Sequence, residues 1–153
     1  MFVLLRALEQ IRRTARLQRS QEGRWLGIRH VDAGSCNGCE HELGLITNPL
    51  HDLQRFGLDI VASPRHADIL LVTGSVTTRM AGPLRTAYDA MPTPRLVAAL
   101  GDCALGCNVL ADPPELIGGV GELLPVDITI PGCPPTPHAI AEHLLAGLSA
   151  IGT

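Results

Sequence analysis

An open parallel α/β sheet with helices on both faces is the fold this sequence predicts, and three observations predict it. Short apolar runs alternate with stretches of helical spacing from Trp25 onward. One run, Ala67-Asp-Ile-Leu-Leu-Val-Thr73, is almost continuously apolar, as a strand buried on both faces must be. Cys36, Cys39, Cys103 and Cys133 fall in loops just behind predicted strands. Right-handed crossovers collect the C-terminal ends of parallel strands on one edge, and ligands of such folds bind there.

The elements follow in order. Residues 2–20 have helical periodicity, with Leu4, Leu8, Ile11 and Ala15 on one face and Arg6, Arg13 and Arg16 elsewhere. This is either a surface helix packed on its own domain or a basic amphipathic helix that docks on a membrane surface or membrane partner. Residues 21–23 read as a linker. Residues 1–23 thus form an N-terminal unit, and 24–153 the main domain. Leu26–Val31 is the first strand, followed by a loop over Asp32–Cys39 and a helix from about Glu40 to Arg55. Leu58–Ala62 is a short second strand and Ala67–Thr73 the third. Pro83–Met91 is a helix with proline near its first turn. Arg95–Leu100 and Asp127–Ile130 are further strands, and Thr136–Ile151 is the last helix.

The totals narrow the function. A chain of 153 residues suits one domain with its own core. Apolar residues make up 46%, yet no apolar run reaches eighteen residues, so no transmembrane helix is expected. The apolar start breaks at Arg6, too early for a signal-peptide core. The expected compartment is the cytoplasm. Aromatic residues are only 3% and the net charge is −3, which together exclude a stacking platform for nucleic acid. The charge is uneven: residues 1–30 carry seven Arg and two Glu, so the acidic excess lies in the main domain.

Five cysteines do not make a disulfide framework, and in a reducing compartment clustered thiols bind metal or do redox work. Cys36-Asn-Gly-Cys39 supplies two thiolates, with Gly34 and Gly38 for a tight turn. Cys103 and Cys133 supply two more from distant loops, the second among stiffening prolines. Four thiolates fit the four irons of a [4Fe–4S] cube. Zinc also takes four cysteines, although its structural sites usually pair two C-x-x-C knuckles. A lone C-x-x-C also suits thiol redox chemistry, which leaves Cys103 and Cys133 unused.

The segments GSCNGCEHEL, ADILLVTGSVTTRMAGPLRTAYDAMPTPRLVAALGDCA and ITIPGCPPTPHAIAEHLLAGL resemble two related groups. These are the B-type subunit of respiratory complex I and the small subunit of energy-converting, membrane-bound [NiFe] hydrogenases. The resemblance covers about residues 25–150. It implies a flavodoxin-like fold and one proximal-type [4Fe–4S] cluster on Cys36, Cys39, Cys103 and Cys133. It also implies a large catalytic subunit as partner, with a ferredoxin-like iron–sulfur subunit and membrane-arm subunits, at the cytoplasmic face of the membrane. Complex I subunits usually carry adjacent cysteines at the first motif, whereas Cys36-Asn-Gly-Cys39 has the hydrogenase-type spacing. Cys107 departs from the family pattern and reads as a small buried hydrophobe or as a substitute for Cys103.

Other residues near the motifs carry two readings each. Glu40 and Glu42 are favourable charges at a helix start, or proton-relay groups beside a redox centre. His41 is an ordinary helix residue or faces the partner. His138 and His143, five apart, are badly spaced for one metal. Thr73-Gly-Ser-Val-Thr-Thr78 lacks the P-loop lysine pattern, and Gly118-Gly-Val-Gly121 lacks the strand-to-helix setting of a dinucleotide site.

Overall fold

The structure is a computed structural model that describes residues 25–107 and 114–151. The N-terminal helix expected over residues 2–20 lies outside the described residues.

Five strands form one sheet: β1 (Leu26–Asp32), β2 (Leu58–Ile60), β3 (Ile69–Thr73), β5 (Leu96–Leu100) and β7 (Ile128–Ile130). Their order is β2-β1-β3-β5-β7, and every neighbouring pair is parallel. Counted within this sheet, that is the flavodoxin-like order 2-1-3-4-5. Chain order reverses between β1 and β3, which makes that crevice the switch point. Two short strands, β4 (Val76–Thr77) and β6 (Leu116–Gly118), pair antiparallel beside it.

Alternation along the central strands supplies two cores. Ile69, Leu71, Ala98 and Leu100 face one layer with Ile128 and Ile130. Leu43 of α1 (Gly38–Leu45) and Ile140, Leu144 and Leu148 of α3 (Pro137–Ile151) cover them. Leu70, Val72, Val97 and Ala99 face the other layer, covered by Leu84 of α2 (Thr78–Asp89) and by Val120 and Leu124. All five residues of β3 are buried, which is why its sequence shows no polar phase.

Two helices differ from their expected bounds. The helix expected to reach Arg55 stops at Leu45. Pro49 disfavours helical backbone at Asn48. The Thr47 hydroxyl donates to Gly44 O at 2.9 Å, and Asn48 Oδ1 accepts from the N–H groups of Leu50 and His51 at 2.9 and 3.1 Å. A separate 3-10 turn then spans Leu53–Phe56. Helix α2 begins five residues before Pro83, because the Thr77 hydroxyl caps it by accepting from Met80 N at 3.3 Å. Pro83 thus sits inside the helix, on an exposed face where water can serve the carbonyl four residues back.

Candidate metal centre

Loops behind β1, β3, β5 and β7 meet at the C-terminal edge around a recess of about 340 Å³, open to solvent. Cys36 and Cys39 come from the β1 loop, Cys103 from the β5 loop and Cys133 from the β7 loop. Chain segments nearly a hundred residues apart thus present four thiols to one space. Cys107 does not line it; the residue is exposed, and its N–H turns back to Asp102 O at 2.9 Å.

Each loop is shaped by its own polar groups. Asp32 Oδ1 accepts from the N–H groups of Gly34 and Ser35 at 2.8 and 2.7 Å, an Asx turn that aims the chain across the edge. Helix α1 starts at Gly38, so Cys39 sits on its first turn, half-buried against the core. Asp102 joins the second and third loops. Its N–H donates to Gly132 O at 2.9 Å, and its carboxylate accepts from Gly132 N at 2.7 Å. Behind the Cys103 loop, Val120 N donates to Ala104 O at 2.8 Å. Gly118-Gly-Val-Gly121 therefore buttresses this loop; it follows a strand but opens only a three-residue 3-10 turn.

Two glycines show how little room remains. At Gly101 φ is +90°, and a Cβ would lie 2.6 Å from Cys39 Sγ. At Gly38 a Cβ would lie 3.5 Å from Cys36 Sγ. The small residues let backbone approach sulfur.

Burial pushes the Cys39 thiol up to about 11, with further contributions from Glu40 and from Cys103, Cys36 and Cys133. Burial also raises Cys103, followed by the effects of Cys133 and Cys36. Four thiolates in one place repel one another, so the set is stable as thiolates only around compensating positive charge. That donor chemistry fits iron or another thiophilic metal. Among the described residues, no three His, Cys, Asp or Glu side chains stand close enough to hold a single ion. The sulfurs of a tetrahedral zinc site are about 3.8 Å apart. A cube with one thiolate per iron spreads its ligands more widely. Four cysteine sulfurs around one recess are a donor set that fits the four irons of a [4Fe–4S] cube.

Glu40, half-buried, points into a polar chain that sequence reading did not find. Its partners are Ser35, Thr73 and His30, whose sequence positions carry no motif. Burial lowers the His30 pKa, against the pull of Glu40 and Asp32. Glu42 is half-buried on α1 and takes no part in that chain; His41 is exposed. His138 pairs with Glu142 at 4.0 Å, and His143 bonds Ala139 O within its own helix at 2.9 Å; neither approaches the recess. Gly74 of the Thr73–Thr78 segment lines the recess, so that loop serves the thiol site.

Comparison with known proteins agrees with this geometry. The family profile described as NADH ubiquinone oxidoreductase, 20 Kd subunit, matches residues 36–147. The "Probable membrane-bound hydrogenase subunit" of Pyrococcus furiosus is 41% identical over 129 residues, covering 84% of this chain and 77% of that one. Formate hydrogenlyase subunit 7 of Escherichia coli is 46% identical over 112 residues, 73% of this chain and 44% of that one. A B-type subunit of NADH-quinone oxidoreductase from Herpetosiphon aurantiacus is 42% identical over 112 residues, 72% of this chain and 61% of that one. The chain thus spans less than two thirds of the last two. Among solved structures, a chain of an archaeal membrane-bound sulfane sulfur reductase superposes with a TM-score of 0.67 at 29% identity, covering 94% of this chain and 73% of that one. A chain of an NAD+-reducing [NiFe]-hydrogenase, 23% identical with a TM-score of 0.59, shares the fold. Among the described residues no helix is long and apolar enough to cross a membrane. With the profile covering most of the chain and its match beginning at the first recess cysteine, the chain belongs to the NADH ubiquinone oxidoreductase 20 Kd subunit family of oxidoreductase-complex subunits.

Proposed function

We propose that the chain is the electron-transfer small subunit of a membrane-associated, [NiFe] hydrogenase-type complex, and that Cys36, Cys39, Cys103 and Cys133 hold one [4Fe–4S] cluster. The observation that carries the reading is the gathering of these four thiols, and not Cys107, around one recess. Such a cluster, when bound, would supply one-electron transfer. The chain's own residues hold and insulate it. Cys39 and Cys103 anchor the buried side, while Cys36 and Cys133 stand exposed at the mouth. Pro134 and the glycines of the rim bring apolar surface and bare backbone to the opening. That rim suits a large catalytic subunit, since an exposed electron site needs a partner to exclude water. A ferredoxin-like iron–sulfur subunit and membrane-arm subunits complete the proposed assembly, with this chain peripheral on the cytoplasmic face.

A second reading, the B-type subunit of a complex I-like quinone oxidoreductase, draws support from the NADH-quinone oxidoreductase relatives. The Cys36-Asn-Gly-Cys39 spacing and the Pyrococcus furiosus relative favour the first. Of the two carboxylates read as relay groups, Glu40 belongs to a hydrogen-bonded chain with Thr73 and His30, and Glu42 does not.

Anaerobic purification tests the cluster directly. The anaerobically purified protein, separated from its partners, is expected to be brown, with about four iron and four labile sulfide per chain. Stoichiometric zinc in place of iron overturns the reading.

A further inference from the structure

Both oxygens of Glu40 are held by groups that donate to them. Ser35 Oγ donates to Oε2 at 2.6 Å, and Thr73 Oγ1 donates to Oε1. His30 Nε2 stands 2.9 Å from Thr73 Oγ1 and 3.7 Å from Glu40 Oε1. The Glu40 carboxylate is thus anchored at both oxygens, through Ser35 to the loop behind β1 and through Thr73 to the end of β3, with the His30 ring in hydrogen-bond reach of the Thr73 hydroxyl, and its charge is held between them.

That charge is fixed in place and poorly screened. Thr73 is fully buried, and only about a fifth of the Glu40 and His30 side-chain surfaces is exposed. Glu40 follows Cys39 directly, and Ser35, its second anchor, lines the thiol recess. The carboxylate is thus tied to the wall of the recess from two sides, by the loop behind β1 and by the end of β3.

We propose that Glu40 is a fixed negative charge that lowers the reduction potential of the cluster, with Ser35, Thr73 and His30 as the positioning residues that hold it. The inference rests on the cluster reading above. Adding an electron at the recess adds negative charge there, and a fixed carboxylate nearby makes that addition costlier. Local charge and hydrogen bonding are among the factors that set iron–sulfur potentials.

The test is a redox titration of the complex purified with its native partners, followed by the paramagnetic signal of the reduced cluster at one pH. Glu40→Gln keeps the shape and an acceptor oxygen but removes the charge. The midpoint potential is expected to rise, with iron content and signal shape unchanged. An unchanged or lower midpoint in iron-loaded Glu40→Gln overturns the proposal. Thr73→Val is nearly isosteric and keeps the carboxylate but frees it to swing toward water. Its midpoint is expected to rise by less, and it decides the matter if Glu40→Gln fails to assemble; no rise there also overturns the proposal. Loss of iron from both variants assigns the network to assembly and overturns its tuning role. Absence of iron from the unaltered chain is a different failure, that of the cluster reading itself, and is scored first.

Discussion

The two edges of the sheet use the same aspartate clasp to different ends. At the N-terminal edge, Asp68 precedes β3 and grips Gly27 of β1. Its carboxylate accepts from Gly27 N at 2.8 Å, and its N–H donates to Gly27 O at 2.8 Å. Asp127 precedes β7 and grips Val97 of β5 in the same way, at 2.8 and 2.9 Å. At the C-terminal edge Asp102 grips Gly132 at 2.7 and 2.9 Å. The first two clasps extend ladders that already exist, next to buried aliphatic side chains. The third joins two loops beyond the end of the ladder, each carrying a thiol. Where strands run on, the clasp adds stability; where they have ended, it sets the geometry of a site.

The sharpest way to break this comparison is to alter the thiols. Cys103→Ser is expected to abolish or convert the cluster, and Cys107→Ser to keep its visible absorbance and reduced-state paramagnetic signal. The reverse result reassigns the fourth ligand to Cys107 and removes the recess from the argument. Next in size is Gly101→Ala. It forces a Cβ to within 2.6 Å of Cys39 Sγ at a backbone φ of +90°. Most of the cluster should be lost while the circular dichroism of the sheet persists; normal iron content means that the β5 loop yields more easily than its packing suggests.

Asp102→Ala compared with Asp68→Ala and Asp127→Ala sharpens the contrast. Each removes one carboxylate from a backbone N–H that is partly buried, a cost of about 1–3 kcal/mol. All three should lower the denaturant midpoint. Only Asp102→Ala should also reduce iron per chain. Equal iron in all three variants makes the third clasp a stability device like the others. The smallest effect concerns the metal-free chain. Cys36, Cys107 and Cys133 are exposed and should alkylate first at neutral pH. Cys39, whose thiol is pushed up to about 11 mainly by burial, should react slowest and speed up as pH rises toward that value, because the thiolate is the nucleophile. Mass spectrometry of a timed alkylation gives the order.

The elements were legible to different degrees. The unbroken apolar phase of Ile69–Val72 announces a central strand, because only a strand covered on both sides can be apolar at every position. The end of α1 was missed, because Leu45 and Ile46 keep an apolar pattern while local hydrogen bonds at Thr47 and Asn48 already stop the helix. Strands β4 and β6 were not expected: two or three residues carry no period, and their pairing joins segments some forty residues apart. In the site, the C-x-x-C spacing and the cysteines behind β5 and β7 could be read directly. Ser35, Thr73 and His30 could not, since single polar residues become a network only when β1, β3 and α1 are packed together.

By itself, then, the order of residues determined the five strands of the main sheet, the layers that cover them and the four thiol positions behind strand ends. Those follow from burial and from the local reach of a turn, both of which act over a few residues. Tertiary structure alone decided which thiols share one recess, that Cys107 does not line it, and that Ser35, Thr73 and His30 gather around Glu40. Those outcomes depend on distances between loops far apart in the chain. Such distances are set by sheet order and by contacts such as Asp102 with Gly132, which no run of sequence contains.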